Sequence, residues 1–203
     1  EEETFVELLK SAGVTVTTHD ESTGNQWRFS ACSGHFGGSM DGAALGLVEA
    51  PKTWHVAEFK THNAKSFKAL IEKGVQASKP MHYSQMQIYM HLSGMVRAYY
   101  MAVNKDDDSL YAERIHYDQP HAEALLAKAA SIIKANEPPE GISTNAGWYE
   151  CNWCDYHSLC FEQTLPEQNC RTCLHSTPAS NGLWHCEATA QMAARRRAGA
   201  AGV

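Results

Sequence analysis

The apolar and polar positions of this chain change period repeatedly along its first 137 residues. Phe5, Leu8, Leu9 and Ala12 recur at helical spacing and predict an amphipathic first helix. Residues 14–18 (VTVTT) and 26–30 (QWRFS) are β-rich runs parted by a polar turn at residues 20–25, which predicts a hairpin. A second hairpin is predicted from residues 35–45 and 54–62, with Glu49, Ala50 and Pro51 at its turn. Helices follow over residues 64–73 and 80–93, then strands over 95–103 and 109–117 about an Asn104-Lys105-Asp106-Asp107-Asp108 turn. Asp118 is placed as an N-cap with Pro120 just inside, and Ala122, Leu125, Leu126, Ala129, Ile132 and Ile133 mark the buried stripe of a long helix. This order is that of a mixed α/β fold.

Composition narrows the class. The chain has 203 residues, 43% apolar, 20% charged and 9% aromatic, which predicts one sizeable core with a small appendage. No run of eighteen apolar residues occurs, so a soluble protein without a transmembrane helix is expected. Net charge is −6, from 17 Lys plus Arg against 23 Asp plus Glu, which excludes a strongly basic coat and leaves any polyanion to be held locally. Glu1, Glu2 and Glu3 run straight into the first helical pattern without a secretion signal. A cytoplasmic protein is expected, with an upstream segment that contributes to the site.

Cysteine usage divides the chain. Of seven Cys, Cys32 alone precedes residue 150, while Cys151, Cys154, Cys160, Cys170, Cys173 and Cys186 crowd together after it. The expected organisation is a core over residues 1–147 and a Cys-rich metal-binding module over 148–203, joined through Pro138-Pro139-Glu140-Gly141 and Asn145-Ala146-Gly147. Two C-x-x-C pairs favour thiolate ligation in a reducing compartment over disulfides. Cys151, Cys154, His157 and Cys160 suit one tetrahedral Zn²⁺ site; Cys170, Cys173 and Cys186 with His175 or His185 suit another.

The central hairpin carries the chemistry. Folded about a centre between Glu49 and Ala50, it sets Asp41 directly across from Glu58, with Cβ atoms about 5 Å apart. Two like charges there call for a cation between them. Strand alternation puts Glu58, Lys60 and His62 on one face and Ala57, Phe59 and Thr61 on the other. A Glu-x-Lys on an exposed strand is ordinary surface, but Val56, Ala57 and Phe59 mark this strand as central, where unpaired charges are costly. Carboxylates, a divalent cation and an amine are the parts that phosphodiester hydrolysis needs.

Gly-His-Phe-Gly-Gly-Ser-Met-Asp41-Gly, then Ala-Glu58-Phe-Lys60-Thr, then Gln85-Met-Gln-Ile-Tyr89 resembles the PD-(D/E)xK nuclease superfamily. More narrowly it is similar to the RecB-type, phage exonuclease and CRISPR adaptation nuclease branch, over most of residues 1–137. The resemblance implies a restriction-endonuclease-like core, a mixed central sheet flanked by helices. It implies Mg²⁺ or Mn²⁺ on Asp41 and Glu58 with the Phe59 carbonyl as a further ligand, Lys60 as catalytic lysine, and Gln85 with Tyr89 on the DNA backbone. The branch's upstream ligand falls to Glu2 or Glu3. His35 is left open among facing the metal, touching DNA and an ordinary strand role. Cys151-x2-Cys154-x5-Cys160 resembles the C-terminal part of an iron-sulfur staple, so a 4Fe-4S cluster stands beside zinc, with Cys32 the one candidate within the chain for a fourth thiolate.

The expected function is a DNA exonuclease acting on linear or single-stranded ends in phage-type or bacterial recombination and repair, working with a second copy or a recombination partner protein. A catalytically silent nucleic-acid-binding module and a restriction-type endonuclease are the alternatives. Lys65, Lys68, Lys73 and Lys79 are candidate backbone contacts or a solvated helix face. Trp148, Tyr149 and Trp153 read as packing more than as base-stacking, and Arg195-Arg196-Arg197 as a charged terminus.

Overall fold

The computed structural model describes residues 2–194; Glu1 and the Arg195-Arg196-Arg197 run lie outside the described residues. The chain divides into two compact units, Glu1–Ala31 with Gly37–Lys128, and Cys32–Phe36 with Ala129–Val203.

The first unit opens with α1 (Glu2–Ser11), followed by β1 (Thr15–Thr17), β2 (Arg28–Ala31), β3 (Phe36–Ser39), β4 (Gly42–Leu45) and β5 (His55–His62). Next come α2 (Ala64–Ser78), α3 (Pro80–Ser93), β6 (Arg97–Asn104), β7 (Leu110–His116) and α4 (Gln119–Lys134), in which the boundary between the units falls. The main sheet has five strands in the order β1-β4-β5-β6-β7. It is mixed: β5 and β6 run parallel, joined through α2 and α3, and the other pairings are antiparallel.

Two strand expectations fail for one reason. The run at residues 14–18 does not form a hairpin with 26–30; β1 pairs with β4, Val16 opposite Ala44, while β2 pairs with β3 in a separate two-stranded sheet. The polar turn between them closes on Asp20, whose Oδ1 accepts from the Ser22 amide at 2.8 Å and hydroxyl at 2.6 Å, leaving one isolated bridge between His19 and Gln26. The single strand predicted over residues 35–45 breaks at Met40 and Asp41. Met40, fully buried, donates its amide to the Trp27 carbonyl at 3.0 Å as the chain passes from the small sheet to the large one. That break leaves Asp41 outside the ladder, with its carboxylate free to turn inward.

The sheet is covered on both faces, which explains the apolar run of β5. On one face Met40, Val56, Ala98, Tyr100 and Ile115 pack with Phe67 and Leu70 of α2 and Met86 and Met90 of α3. On the other, Phe5 and Leu9 of α1 pack with Val16, Ala44, Ala57, Phe59 and Met101. Asn63 caps α2 by accepting the Ser66 amide at 2.9 Å, and Pro80 begins α3 where its missing N–H costs nothing. Asp118 caps α4 through the His121 amide at 3.1 Å, but of the predicted stripe only Ala122 is buried; Leu125, Leu126, Ala129 and Ile133 are half-covered and Ile132 is exposed.

The second unit contains α5 (Tyr149–Asn152), α6 (His157–Phe161) and an antiparallel three-stranded sheet of β8 (Ser176–Pro178), β9 (Leu183–Cys186) and β10 (Gln191–Ala194) in the order β10-β9-β8. Among the described residues no helix is long and apolar enough to cross a membrane.

Candidate active site

The register of β4 on β5 pairs Gly42 with Ala57 and Ala43 with Val56. One further step sets Asp41 opposite Glu58, as counting about the hairpin centre requires. Asp41 Oδ2 accepts the Phe59 amide hydrogen at 2.9 Å. Because a strand residue's N–H and C=O point to the same edge, the Phe59 carbonyl shares the side that Asp41 occupies. Glu58 is wholly buried, and Lys60 Nζ lies in contact with its Oε1 and 3.6 Å from Asp41 Oδ2. Apart from this amine, no donor among the described residues reaches either oxygen of Glu58.

The charges reflect that crowding. Burial raises Glu58 from its ordinary value to about 7, with the Lys60 amine pulling it down and the Asp41 carboxylate pushing it up. Burial would lower the Lys60 amine, but Glu58 and Asp41 outweigh it and hold the amine above its ordinary value. A buried carboxylate short of donors beside a second carboxylate and a carbonyl is a hard, oxygen-only set, the chemistry that Mg²⁺ and Mn²⁺ prefer. Among the described residues no group of three or more His, Cys, Asp or Glu side chains already has the arrangement of a metal site.

Glu2 and Glu3 border this pair. One hollow is lined by Glu2, Glu3, Phe5, Phe59, Lys60 and Thr61, and a second by Glu2, Glu3, Lys10, His19 and Asp41 among others. The charge of Glu2 reaches Glu58 and adds to its raised value. Phe5 holds α1 here by stacking on Phe59, ring centroids 5.2 Å apart at 11°. Phe59 therefore anchors α1 on one face while Glu58 and Lys60 project from the other.

On α3, Gln85 and Tyr89 lie one turn apart. Gln85 Nε2 donates to the Tyr89 hydroxyl at 3.3 Å, and that hydroxyl donates to the Ser39 carbonyl at 2.6 Å. Tyr89 is 6% exposed and its only proton is committed to Ser39, so it is the Gln85 amide that has hydrogens left to offer. Gly38 makes this possible, because a Cβ there would sit 2.6 Å from the Tyr89 hydroxyl.

His62, which alternation sets on the face of Glu58 and Lys60, joins a cluster with His82 and Tyr100 that the spacing along β5 does not reveal. His62 Nε2 and His82 Nδ1 lie 2.8 and 2.9 Å from the hydroxyl of Tyr100, and Ser66 Oγ lies 3.2 Å from His62 Nδ1. Burial lowers His82 to about 4, helped by the charges of Lys60, His62 and Lys79. The available signal was the spacing of His82, Gln85 and Tyr89, at i, i+3 and i+7 on one helix face.

The remaining candidates fall in the second unit. His35 is occupied there: its Nε2 lies 2.8 Å from the Ala179 carbonyl and its ring meets Trp184 edge to face. Cys32, the candidate fourth thiolate, is half-buried, and the same unit contains it. Cys151, Cys154, His157 and Cys160 line one hollow with Phe161. Burial raises the Cys151 thiol, and the Cys154 and Cys160 sulfurs add to the effect. His157 is turned to other partners, Nε2 to the Ala146 carbonyl at 3.3 Å and Nδ1 to Glu162 at 3.5 Å. Cys170 and Cys173 flank a turn that Ser176 ties down by donating to the Cys170 carbonyl at 2.5 Å, and Ser176 pairs with Cys186 across β8 and β9, one residue from His185. The Thr189 hydroxyl and amide lower the Cys186 thiol. Tyr149 and Trp153, expected to pack, are 65% and 85% exposed. In the first unit, Lys65 and Lys73 are exposed, Lys68 pairs with Glu72 at 3.9 Å, and Lys79 Nζ donates to the Ser66 carbonyl at 3.1 Å.

No family model matches the chain, and no curated protein matches it. Among solved structures it is similar to LHK-Exo in complex with dAMP, with a TM-score of 0.46 and 19% identity over 64% of this chain and 61% of that one. It is also similar to the protein SSO0001, with a TM-score of 0.43 and 16% identity over 81% of this chain and 68% of that one. A further match is an alkaline exonuclease (LHK-Exo) from Laribacter hongkongensis, with a TM-score of 0.41 and 23% identity over 62% of each chain. The matched region spans less than two thirds of the length of that exonuclease.

Proposed function

We propose that this chain is a divalent-cation-dependent deoxyribonuclease with a PD-(D/E)xK core, an exonuclease that hydrolyses phosphodiester bonds at DNA ends. The observation that carries the reading is the buried, donor-poor Glu58 across from Asp41 with the Lys60 amine touching it. A purely structural Glu at that depth would be costly, whereas a cation offsets both carboxylate charges.

Asp41, Glu58 and the Phe59 carbonyl would hold Mg²⁺ or Mn²⁺, with Glu2 or Glu3 from α1 closing the set. The cation, when bound, lowers the pKa of a ligated water and neutralises charge on the phosphate. Lys60 Nζ would donate to the attacking water and to the phosphate oxygens as charge develops on them, and its raised value keeps it a donor throughout the working pH range. Gln85 Nε2 donates to a phosphate oxygen, and Tyr89 fixes the Gln85 amide from below. The thiols of Cys151, Cys154 and Cys160, and those of Cys170, Cys173 and Cys186, would hold a structural metal in residues 148–203, zinc ahead of a 4Fe-4S cluster because Cys170-x2-Cys173 with Trp184-His185-Cys186 reads as a zinc ribbon.

The test incubates the chain with linear and covalently closed circular DNA in Mg²⁺, Mn²⁺ or EDTA, beside Lys60→Ala. Progressive loss of linear DNA alone, stopped by EDTA and by the substitution, is the expected result. Equal cutting of circles would make it an endonuclease. DNA binding without cutting in any lane would replace the hydrolase with a binding module.

A further inference from the structure

A wholly buried tyrosine hydroxyl shared by two imidazoles is an unusual use of a core position. Tyr100 lies directly beside Glu58 in the parallel β5–β6 register, and its hydroxyl is 2.8 Å from His62 Nε2 and 2.9 Å from His82 Nδ1. The three rings are stacked, with His62 and His82 centroids 5.8 Å apart. His62 is the next residue after Lys60 on the same face of β5, and His82 precedes Gln85 by one turn on α3. A hydroxyl has one proton to give, so one imidazole nitrogen accepts from Tyr100 and the other donates to it. With Ser66 Oγ 3.2 Å from His62 Nδ1, His62 and Tyr100 each give one hydrogen bond and receive one, and the whole row from Ser66 to His82 runs in one of two directions.

In the first direction Ser66 donates to His62 Nδ1, His62 Nε2–H to Tyr100, and Tyr100 to His82 Nδ1, which leaves a proton on His82 Nε2. In the second, His82 Nε2 is a bare acceptor. A phosphate oxygen only accepts, so it selects the first. The Lys60 and Lys79 amines both act on the His82 ring and favour an anion beside it.

We infer that His82 is a DNA-contacting residue: its Nε2–H donates to an oxygen of a backbone phosphate next to the one attacked, and the Ser66–His62–Tyr100 row holds it in that tautomer. His82 then continues, one turn toward the N-terminus of α3, the phosphate-facing row that Gln85 begins. Tyr100 and His62 are positioning residues that act through His82. The inference rests on the nuclease reading above.

The test measures binding of single-stranded oligonucleotides to Lys60→Ala protein in Mg²⁺, scanning one neutral methylphosphonate linkage along the strand, with cleavage by the unsubstituted chain run in parallel. A charge-assisted contact predicts roughly tenfold weaker binding when one particular linkage is neutral. Adding His82→Ala, or His82→Phe to keep the ring, is expected to weaken binding to the ordinary strand by the same factor and to erase the dependence on that linkage. Adding Tyr100→Phe is expected to shrink the dependence while leaving the rest of the scan unchanged, which loss of packing would not do. An unchanged scan in both His82 variants, with cleavage by the unsubstituted chain intact, overturns the inference and leaves the nuclease reading standing. A chain that neither binds nor cleaves DNA overturns both.

Discussion

The Lys60 ammonium lies against the Glu58 carboxylate, two residues away on the same face of β5, with Asp41 Oδ2 3.6 Å from the same nitrogen. Glu58 is wholly buried while Lys60 is partly exposed, and no other donor among the described residues reaches Glu58. The stability of the pair therefore depends on pH and on cations in a predictable sense.

Glu58 rises from an ordinary value of 4.5 to about 7 in the folded chain. A carboxyl that holds its proton more tightly when folded contributes stability that is complete below its unfolded value and is lost as pH rises through the folded one. Without divalent cations, thermal unfolding should move to lower temperature between about pH 4.5 and pH 7 as about 3 kcal/mol of stability is lost. Glu58→Gln should flatten that slope. Melting curves in EDTA across the range check it, and a slope that survives the substitution would place the titration elsewhere.

A Mn²⁺ ion held by Asp41 and Glu58 would stabilise the ionised Glu58 carboxylate. At pH 8 its addition should raise the melting temperature of the unsubstituted chain, and a hundredfold excess over Kd corresponds to roughly 3 kcal/mol. Asp41→Asn and Glu58→Gln should abolish the rise. Glu2→Gln should weaken Mn²⁺ affinity about tenfold without altering the metal-free melt, if Glu2 closes the set as proposed; isothermal calorimetry measures the first and melting curves in EDTA the second. Phe5→Ala should do both kinds of damage, costing about 3 kcal/mol and loosening the cation by freeing α1 from Phe59.

Gly38→Ala places a methyl 2.6 Å from the Tyr89 hydroxyl. The expected cost is about 1–3 kcal/mol, and Tyr89→Phe in the same chain should recover part of it. Because the Tyr89 proton goes to Ser39, Tyr89→Phe alone should weaken DNA binding less than Gln85→Ala does. Denaturant melts and anisotropy titrations separate the two effects.

Protein purified without oxygen should carry a thiolate-bound metal, with zinc and iron distinguished by elemental analysis. Cys151→Ser should lower the metal content, while His157→Ala should lower it less, since both nitrogens of that ring already face Ala146 and Glu162.

The relation of Asp41 to Glu58 was legible before any coordinates, because pairing in an antiparallel hairpin is arithmetic about its turn. So was the division of β5, since alternation alone sends Phe59 one way and Glu58 with Lys60 the other. The helix carrying Gln85 and Tyr89 was legible from its spacing for the same reason: these relations are local and periodic. The break at Met40 and Asp41 was not, because β2 and β5 compete for one continuous run and the partners that decide it, Trp27 and Ala57, lie far off in sequence. The stacking of Phe5 on Phe59 and the meeting of His62, Tyr100 and His82 depend on how α1 covers the sheet and on the parallel pairing of β5 with β6. The sequence by itself determined the mixed α/β order and the opposed carboxylates with their lysine. Only the tertiary structure decided how Tyr89 spends its proton, what Phe59 anchors and that His62 is buried while His82 stays partly exposed, because those depend on contacts between elements that no local period encodes.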